Sequence, residues 1–222
     1  MIFMIKNIIF DFDGVIVDSE VLASKAFARY FSKLDPSLKE EEFYSYAGMK
    51  TLQVIDLLSK KFNISEKDKF THDIYEIISS IYLKELQLVE GAEKYIKNSK
   101  KNHYIGSNSN KDRILEGLKI VSMSNFFPSD KIYSFDMVQN PKPFPDIYLK
   151  VIAENKLKIN ETIVLEDSGV GVKAAKSAGL RVFGLTVGKH WHSNRDKNEL
   201  YDNGALNVFD SYNDIEKALG GL

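Results

Sequence analysis

Two acidic pairs stand directly behind apolar runs. In NIIFDFDGVIVDSE, Asp11 and Asp13 follow Ile8–Phe10, and in ETIVLEDSGVG, Glu166 and Asp167 follow Ile163–Leu165. Like charges crowded at the end of a buried strand raise each other's pKa unless a cation neutralises them. The chain has no cysteine, so the donors on offer are carboxylates from separate segments. An all-oxygen set of that kind points to Mg²⁺. The first pair does not make an EF-hand loop, because Gly14 comes too early and the spacing to Glu20 is wrong.

Other residues suit the same chemistry. Lys142 lies in NPKPFPD, stiffened by Pro141, Pro143 and Pro145. A cation held there can balance carboxylates and hold an anionic substrate. Ser107, Asn108 and Ser109 follow the run HYIG and precede a helical stretch. They offer a hydroxyl and backbone N–H groups at a helix N-terminus, which suits a phosphate.

Two further motifs read differently. Gly169, Gly171 and Ala174 form G-x-G-x-x-A after a strand, which imitates a dinucleotide fingerprint. Glu166 and Asp167 at the start of that turn would repel a pyrophosphate, and no acidic residue ends the next strand, so the glycines are expected to serve packing. KHWHSNRD places His190 and His192 around the chain's single Trp. These supply too few ligands for a metal and read as a polar loop near the mouth of the site.

The elements that must position these groups follow from periodicity. NIIF, NHYIGSNS, KIYSF, ETIVLEDS, GLRVFGLT and ALNVFDS read as short strands. Helical stretches are expected over 110–118, 144–155, 169–178 and 213–219. Strand alternating with helix predicts a parallel sheet covered on both faces. Between the first strand and Leu86 the pattern is helical throughout, with Ser65 and Asp68 expected to cap the last helix. The expected architecture is α/β: a doubly wound, Rossmann-like core over 1–16 and 87–222, with a helical cap domain inserted at 17–86. In such sheets ligands bind at the carboxyl ends of the strands, which would gather Asp11, Asp13, Ser107, Lys142, Glu166 and Asp167 along one edge.

Composition narrows the class. The chain has 222 residues, 44% of them hydrophobic, and a formal net charge of −1 with the charges well mixed. No basic stripe marks a nucleic-acid partner, and no apolar run approaches a membrane span. The N-terminal apolar stretch is too short for a signal peptide. A cytoplasmic monomer is the expectation, with no nucleic-acid or membrane partner.

In their order along the chain, DFDGVIVDSE, the Ser107 turn, PKPFPDIY and LEDSGVGVKAAKSAG resemble the four motifs of the haloacid dehalogenase superfamily, in its branch of small-metabolite phosphatases and β-phosphoglucomutases. DSEVLASKAF, AGMKTLQVIDLL and SNSNKDRI look like the part of that branch containing bacterial 6-phosphogluconate phosphatases. The resemblance implies a Mg²⁺-dependent phosphatase of a small phosphorylated metabolite. Asp11 would be the nucleophile, and Asp13 the general acid and base. Asp11, the Asp13 carbonyl and Asp167 would bind Mg²⁺, with Glu166 acting directly or through water. Ser107, Lys142 and the N–H groups of Phe12 and Asn108 would hold the phosphoryl group. The cap would select the substrate, with Lys50 as the candidate contact. The mutases' cap histidine and arginine fall here on Ala23 and Thr51. The competing readings are a phosphomutase, or a phospho-accepting signalling module of the receiver type.

Overall fold

In the computed structural model, residues 4–46, 49, 51–192 and 195–220 are described. The chain divides into two units, Met1–Val17 with Gln87–Leu222, and Asp18–Leu86.

The first unit is built on six parallel strands: β1 (Asn7–Phe10), β2 (Asn102–Ser107), β3 (Ile132–Ser134), β4 (Thr162–Glu166), β5 (Arg181–Leu185) and β6 (Asn207–Phe209). Their order is β3-β2-β1-β4-β5-β6, the doubly wound order with its switch at β1. Every residue of β1 is buried, as a central strand covered on both faces requires. On one face Ile9, Val164 and Val182 pack against Tyr148 and Val151 of α6 (Asp146–Glu154) and Val172 and Ala175 of α7 (Gly169–Ser177). On the other, the Phe10 ring meets Phe127 edge-on at 5.9 Å and Tyr95 of α4 (Ala92–Asn98) at 6.3 Å.

Two helices start where a side chain satisfies a free N–H group. Asn110 accepts from Arg113 N at the head of α5 (Lys111–Ile120), and Ser168 accepts from Gly171 N at the head of α7. The helix expected from Phe144 begins instead at Asp146. Pro143 and Pro145 each lack an N–H and disfavour helical geometry in the residue before them. Two helices too short to show a helical period, α4 and α8 (Asn198–Asp202), had no counterpart in the sequence reading. The chain closes with α9 (Tyr212–Gly220).

The second unit comprises α1 (Glu20–Leu34), a 3₁₀ turn (Glu40–Tyr46), α2 (Thr51–Lys61) and α3 (Lys67–Glu85). Phe27 and Phe31, one turn apart, share its core with Phe43, Val54, Leu58, Phe70 and Ile74. Lys25 and Arg29 both pair with Glu85, tying α1 to α3. The expected Ser65 cap is not formed: α3 follows Glu66 and shows no side-chain cap bond. Lys50 lies outside the described residues. Among the described residues, no helix is long and apolar enough to cross a membrane.

Candidate active site

The register of β1 on β4 decides the site. Phe10 pairs with Leu165, and the Asp11 N–H continues the ladder to the Leu165 carbonyl at 2.9 Å. The next residues on the two strands are therefore Asp11 and Glu166–Asp167. Ligand oxygens of Asp11, Glu166 and Asp167 all lie within 4.8 Å of one another, and all three residues are buried.

Lys142 enters this cluster from the loop after β3. Its Nζ donates to Asp11 Oδ1 at 2.7 Å and to Glu166 Oε1 at 2.5 Å. The loop is clamped to the end of β2 by Asn108: the Lys142 N–H donates to Asn108 Oδ1 at 3.0 Å, and Asn108 Nδ2 donates to the Lys142 carbonyl at 3.1 Å. The side chain of Asn108 thus aims the lysine.

Both oxygens of Glu166 already accept from protein donors. Tyr148 donates its hydroxyl to Oε1 at 2.7 Å, beside Lys142. The Asp167 N–H at 3.2 Å and the Ser168 hydroxyl at 3.1 Å donate to Oε2. Glu166 therefore anchors Lys142, while Asp11 and Asp167 are the carboxylates with more to offer a cation. Gly171 is required here, since a Cβ at that position would fall on the Glu166 carboxylate. Gly14, at φ +77°, is likewise backed against the Asp167 carboxylate. The glycines of the G-x-G-x-x-A turn thus include one that makes room for a carboxylate.

The electrostatics are unbalanced. Burial pushes the Asp11 carboxyl well above its usual range; Glu166 and Asp167 add to this and Lys142 opposes it. Burial and then Glu166 push Asp167 up, against Arg195 and Lys142. Burial would lower Lys142, but Asp11 and Glu166 hold it well above its usual value, which favours the ammonium. One ammonium faces three carboxylates, so the cluster is short of positive charge. A divalent cation on Asp11 and Asp167 would supply the balance, and hard carboxylate oxygens suit Mg²⁺.

Asp13 is held apart from this cluster. Ser109 donates its hydroxyl to Asp13 Oδ2 at 2.5 Å, and Arg113 Nη2 lies 3.3 Å from Oδ1. The chain thus carries two aspartates in different settings, one against the lysine and one against α5. Ser107 is buried at the end of β2, its Oγ accepting from Ser109 N at 3.1 Å. Phe12 is fully buried between the two aspartates.

The loop after β5 corrects one expectation. His190 is not part of a polar rim: it is 1% exposed, with Nε2 2.8 Å from Asp167 Oδ2. Trp191 donates Nε1–H to the Asp167 carbonyl at 3.2 Å, and Arg195 stacks over the Trp191 ring at 4.0 Å. This loop packs on the acidic cluster because the parallel topology brings the carboxyl end of β5 to the same edge.

The profile of the haloacid dehalogenase-like hydrolases matches residues 8–185. The chain belongs to that family. It is 26% identical to the 6-phosphogluconate phosphatase of Escherichia coli (strain K12), over 84% of this chain and 85% of that protein. It is 29% identical to the phosphorylated carbohydrates phosphatase of Thermotoga maritima, over 90% of this chain and 92% of that protein. The crystal structure of a haloacid dehalogenase-like protein from Agrobacterium tumefaciens superimposes with a TM-score of 0.84 at 26% identity, covering 98% of each chain. As a haloacid dehalogenase-like hydrolase, the chain is an enzyme, and the edge of the sheet carrying Asp11, Glu166, Asp167 and Lys142 is its candidate active site.

Proposed function

We propose that the protein is a Mg²⁺-dependent phosphatase of small phosphorylated sugars or sugar acids, acting through a phosphoryl group carried on Asp11. The observation that carries this reading is the Lys142 ammonium 2.7 Å from Asp11, beside two carboxylates that burial leaves short of positive charge. The names of these two relatives support a phosphorylated carbohydrate as substrate, with 6-phosphogluconate the first compound to try.

The residues divide the work as follows. Asp11 attacks phosphorus, and the bond from phosphorus to the ester oxygen breaks. The leaving oxygen takes a proton from the Asp13 carboxyl and departs as the alcohol. Water then attacks the phosphorus of the aspartyl phosphate and gives its proton back to Asp13, while the bond to Asp11 breaks and inorganic phosphate is released. General acid–base help of this kind is worth roughly 10²–10⁴-fold. Lys142, the Ser107 hydroxyl and the N–H groups of Phe12 and Asn108 hold the phosphoryl oxygens. Glu166 and Tyr148 hold Lys142 in position. Asp11, Asp167 and the Asp13 carbonyl would hold Mg²⁺, which neutralises charge on the transferring group. The helical unit, with Lys50 in its AGMKT segment, is assigned the choice of substrate.

The test is phosphate release from purified protein with Mg²⁺ across a panel of phosphorylated metabolites. Turnover concentrated on sugar and sugar-acid phosphates is expected. A panel without turnover, or a stable phosphoprotein that never releases phosphate, would overturn the reading.

A further inference from the structure

The chain leaves the first unit after Val17 and re-enters it at Gln87. These two segments are tied to each other. Val17 bridges Leu88 in antiparallel fashion, and the Val89 N–H donates to the Ile16 carbonyl at 2.9 Å. The outgoing segment is also folded on itself. Gly14 N donates to the Val17 carbonyl at 2.7 Å, while Ile16 N and Val17 N donate to the Phe12 carbonyl at 2.9 and 3.1 Å. Residues 12–17 thus form one tight turn, and Asp13 is part of it.

The backbone of that turn is also bonded by a residue from the far end of the chain. Tyr212, at the start of α9, donates its hydroxyl to the Val15 carbonyl at 2.7 Å, across 197 residues of sequence. The side chain is buried. Burial, then Tyr95 and after it the charges of Asp167 and Asp11, hold the phenol well above its usual pKa, so it remains a donor. The incoming segment touches the same side chain. Gly91, at φ +80°, places the site of a Cβ 3.2 Å from Tyr212 Cβ, and the Tyr95 ring lies 5.2 Å away. Helix α9 is itself pinned by the buried Ile215 and by Glu216, which pairs with Lys101 at 2.9 Å.

We propose that Tyr212 is a positioning residue for phosphoryl transfer: its hydroxyl fixes the turn 12–17 and so sets where Asp13 stands relative to Asp11. The proposal rests on the roles given above to Asp11 and Asp13. Without the hydroxyl, Val15 loses its tether to α9, while the turn keeps its own bonds, the Leu88–Val89 segment and the Ser109 and Arg113 contacts of the Asp13 side chain. Misplacing a reacting group by about 1 Å can cost on the order of 100-fold in rate.

Tyr212→Phe tests this, because it keeps the ring and removes only the donor. Ile215→Val, also on α9 and fully buried, serves as a control that lowers stability by one methyl group while keeping the Tyr212–Val15 hydrogen bond. Wild type, Tyr212→Phe and Ile215→Val are compared on a sugar phosphate and on p-nitrophenyl phosphate, with thermal melts and amide exchange over residues 12–17. Tyr212→Phe is expected to lower kcat on the sugar phosphate about 10- to 100-fold, with KM within about threefold. The loss on p-nitrophenyl phosphate should be smaller, because that leaving group needs little help from Asp13. Exchange over 12–17 should rise. Ile215→Val should lower Tm while leaving kcat intact. Tyr212→Phe within twofold of wild type on the sugar phosphate, or equal losses on both esters, would overturn the positioning role. A wild-type protein inactive on every ester would instead defeat the phosphatase reading, and unchanged exchange over 12–17 in Tyr212→Phe would then overturn the tether on its own.

Discussion

Lys142 and Asp11 stand 131 residues apart in sequence and 2.7 Å apart in the fold, on a lysine side chain that is 3% exposed. The same ammonium neutralises Glu166, so removing it leaves two buried carboxylates facing each other. Breaking a buried pair from one side typically costs about 3–5 kcal/mol. Lys142→Met should therefore destabilise the metal-free protein by several kcal/mol and lower kcat by about 10²–10³-fold, the scale of one lost charge-stabilising donor. Urea unfolding and steady-state rates measure the two effects separately. A variant with wild-type rate would remove Lys142 from the phosphoryl site.

Asp11→Asn and Asp13→Asn should fail in different ways. The first keeps the shape and removes the nucleophile, so turnover should vanish with every ester. The second removes a proton carrier held by Ser109 and Arg113. Its loss should approach 10²–10⁴-fold on alkyl phosphates and shrink for p-nitrophenyl phosphate. Rates on a series of leaving groups distinguish the two, and a uniform loss in Asp13→Asn would count against the acid role.

The raised carboxyls give a pH signature. Asp11 and Asp167 bind protons more tightly in the folded state than at the ordinary value of 3.8, first because of burial. The folded state then holds more protons than the unfolded one, so stability falls as pH rises from about 3.8 through the raised folded values. Mg²⁺ should reverse this loss. Its stabilisation should grow with pH and reach about 2.7 kcal/mol at a hundredfold excess over its Kd. Ca²⁺ should bind but support turnover poorly, since it prefers longer bonds and more ligands. Thermal melts with and without Mg²⁺ between pH 4 and 8 provide the check. A metal-free protein whose Tm rises across that range, with no added effect of Mg²⁺, would contradict the assignment.

The acidic cluster and Lys142 could be read from the sequence because a parallel sheet delivers every strand's carboxyl end to one edge. The register of Phe10 with Leu165 then made Asp11 and Glu166 neighbours. Tyr148 only fell within the helical stretch expected over 144–155. Its hydroxyl bond to Glu166 depends on how α6 packs, which periodicity does not encode. His190 was misread because a histidine beside Trp and Arg looks like surface, and only the return of the β5 loop over Asp167 buries it. Ser109 precedes α5 and Arg113 lies in its first turn, but nothing in their spacing names Asp13 as the shared partner. Tyr212 gave no signal, since its partner is a backbone carbonyl.

On the proposed reading, the helical unit would bear on whether water or a sugar hydroxyl receives the phosphoryl group. The resemblance to β-phosphoglucomutases assigns their sugar-phosphate clamp to a cap histidine and a cap arginine, and here those positions hold Ala23 and Thr51. Ala23 packs against the unit's own core of Phe27, Phe31 and Phe70. Thr51 opens α2. Neither side chain can supply the charge or imidazole that a mutase would use to keep water from the aspartyl phosphate. Hydrolysis should therefore win. With β-glucose 1-phosphate and a sugar bisphosphate primer, inorganic phosphate should accumulate without glucose 6-phosphate. Following both products in one coupled assay decides the matter. Glucose 6-phosphate forming much faster than phosphate would show that another residue supplies the missing clamp and would make the protein a mutase.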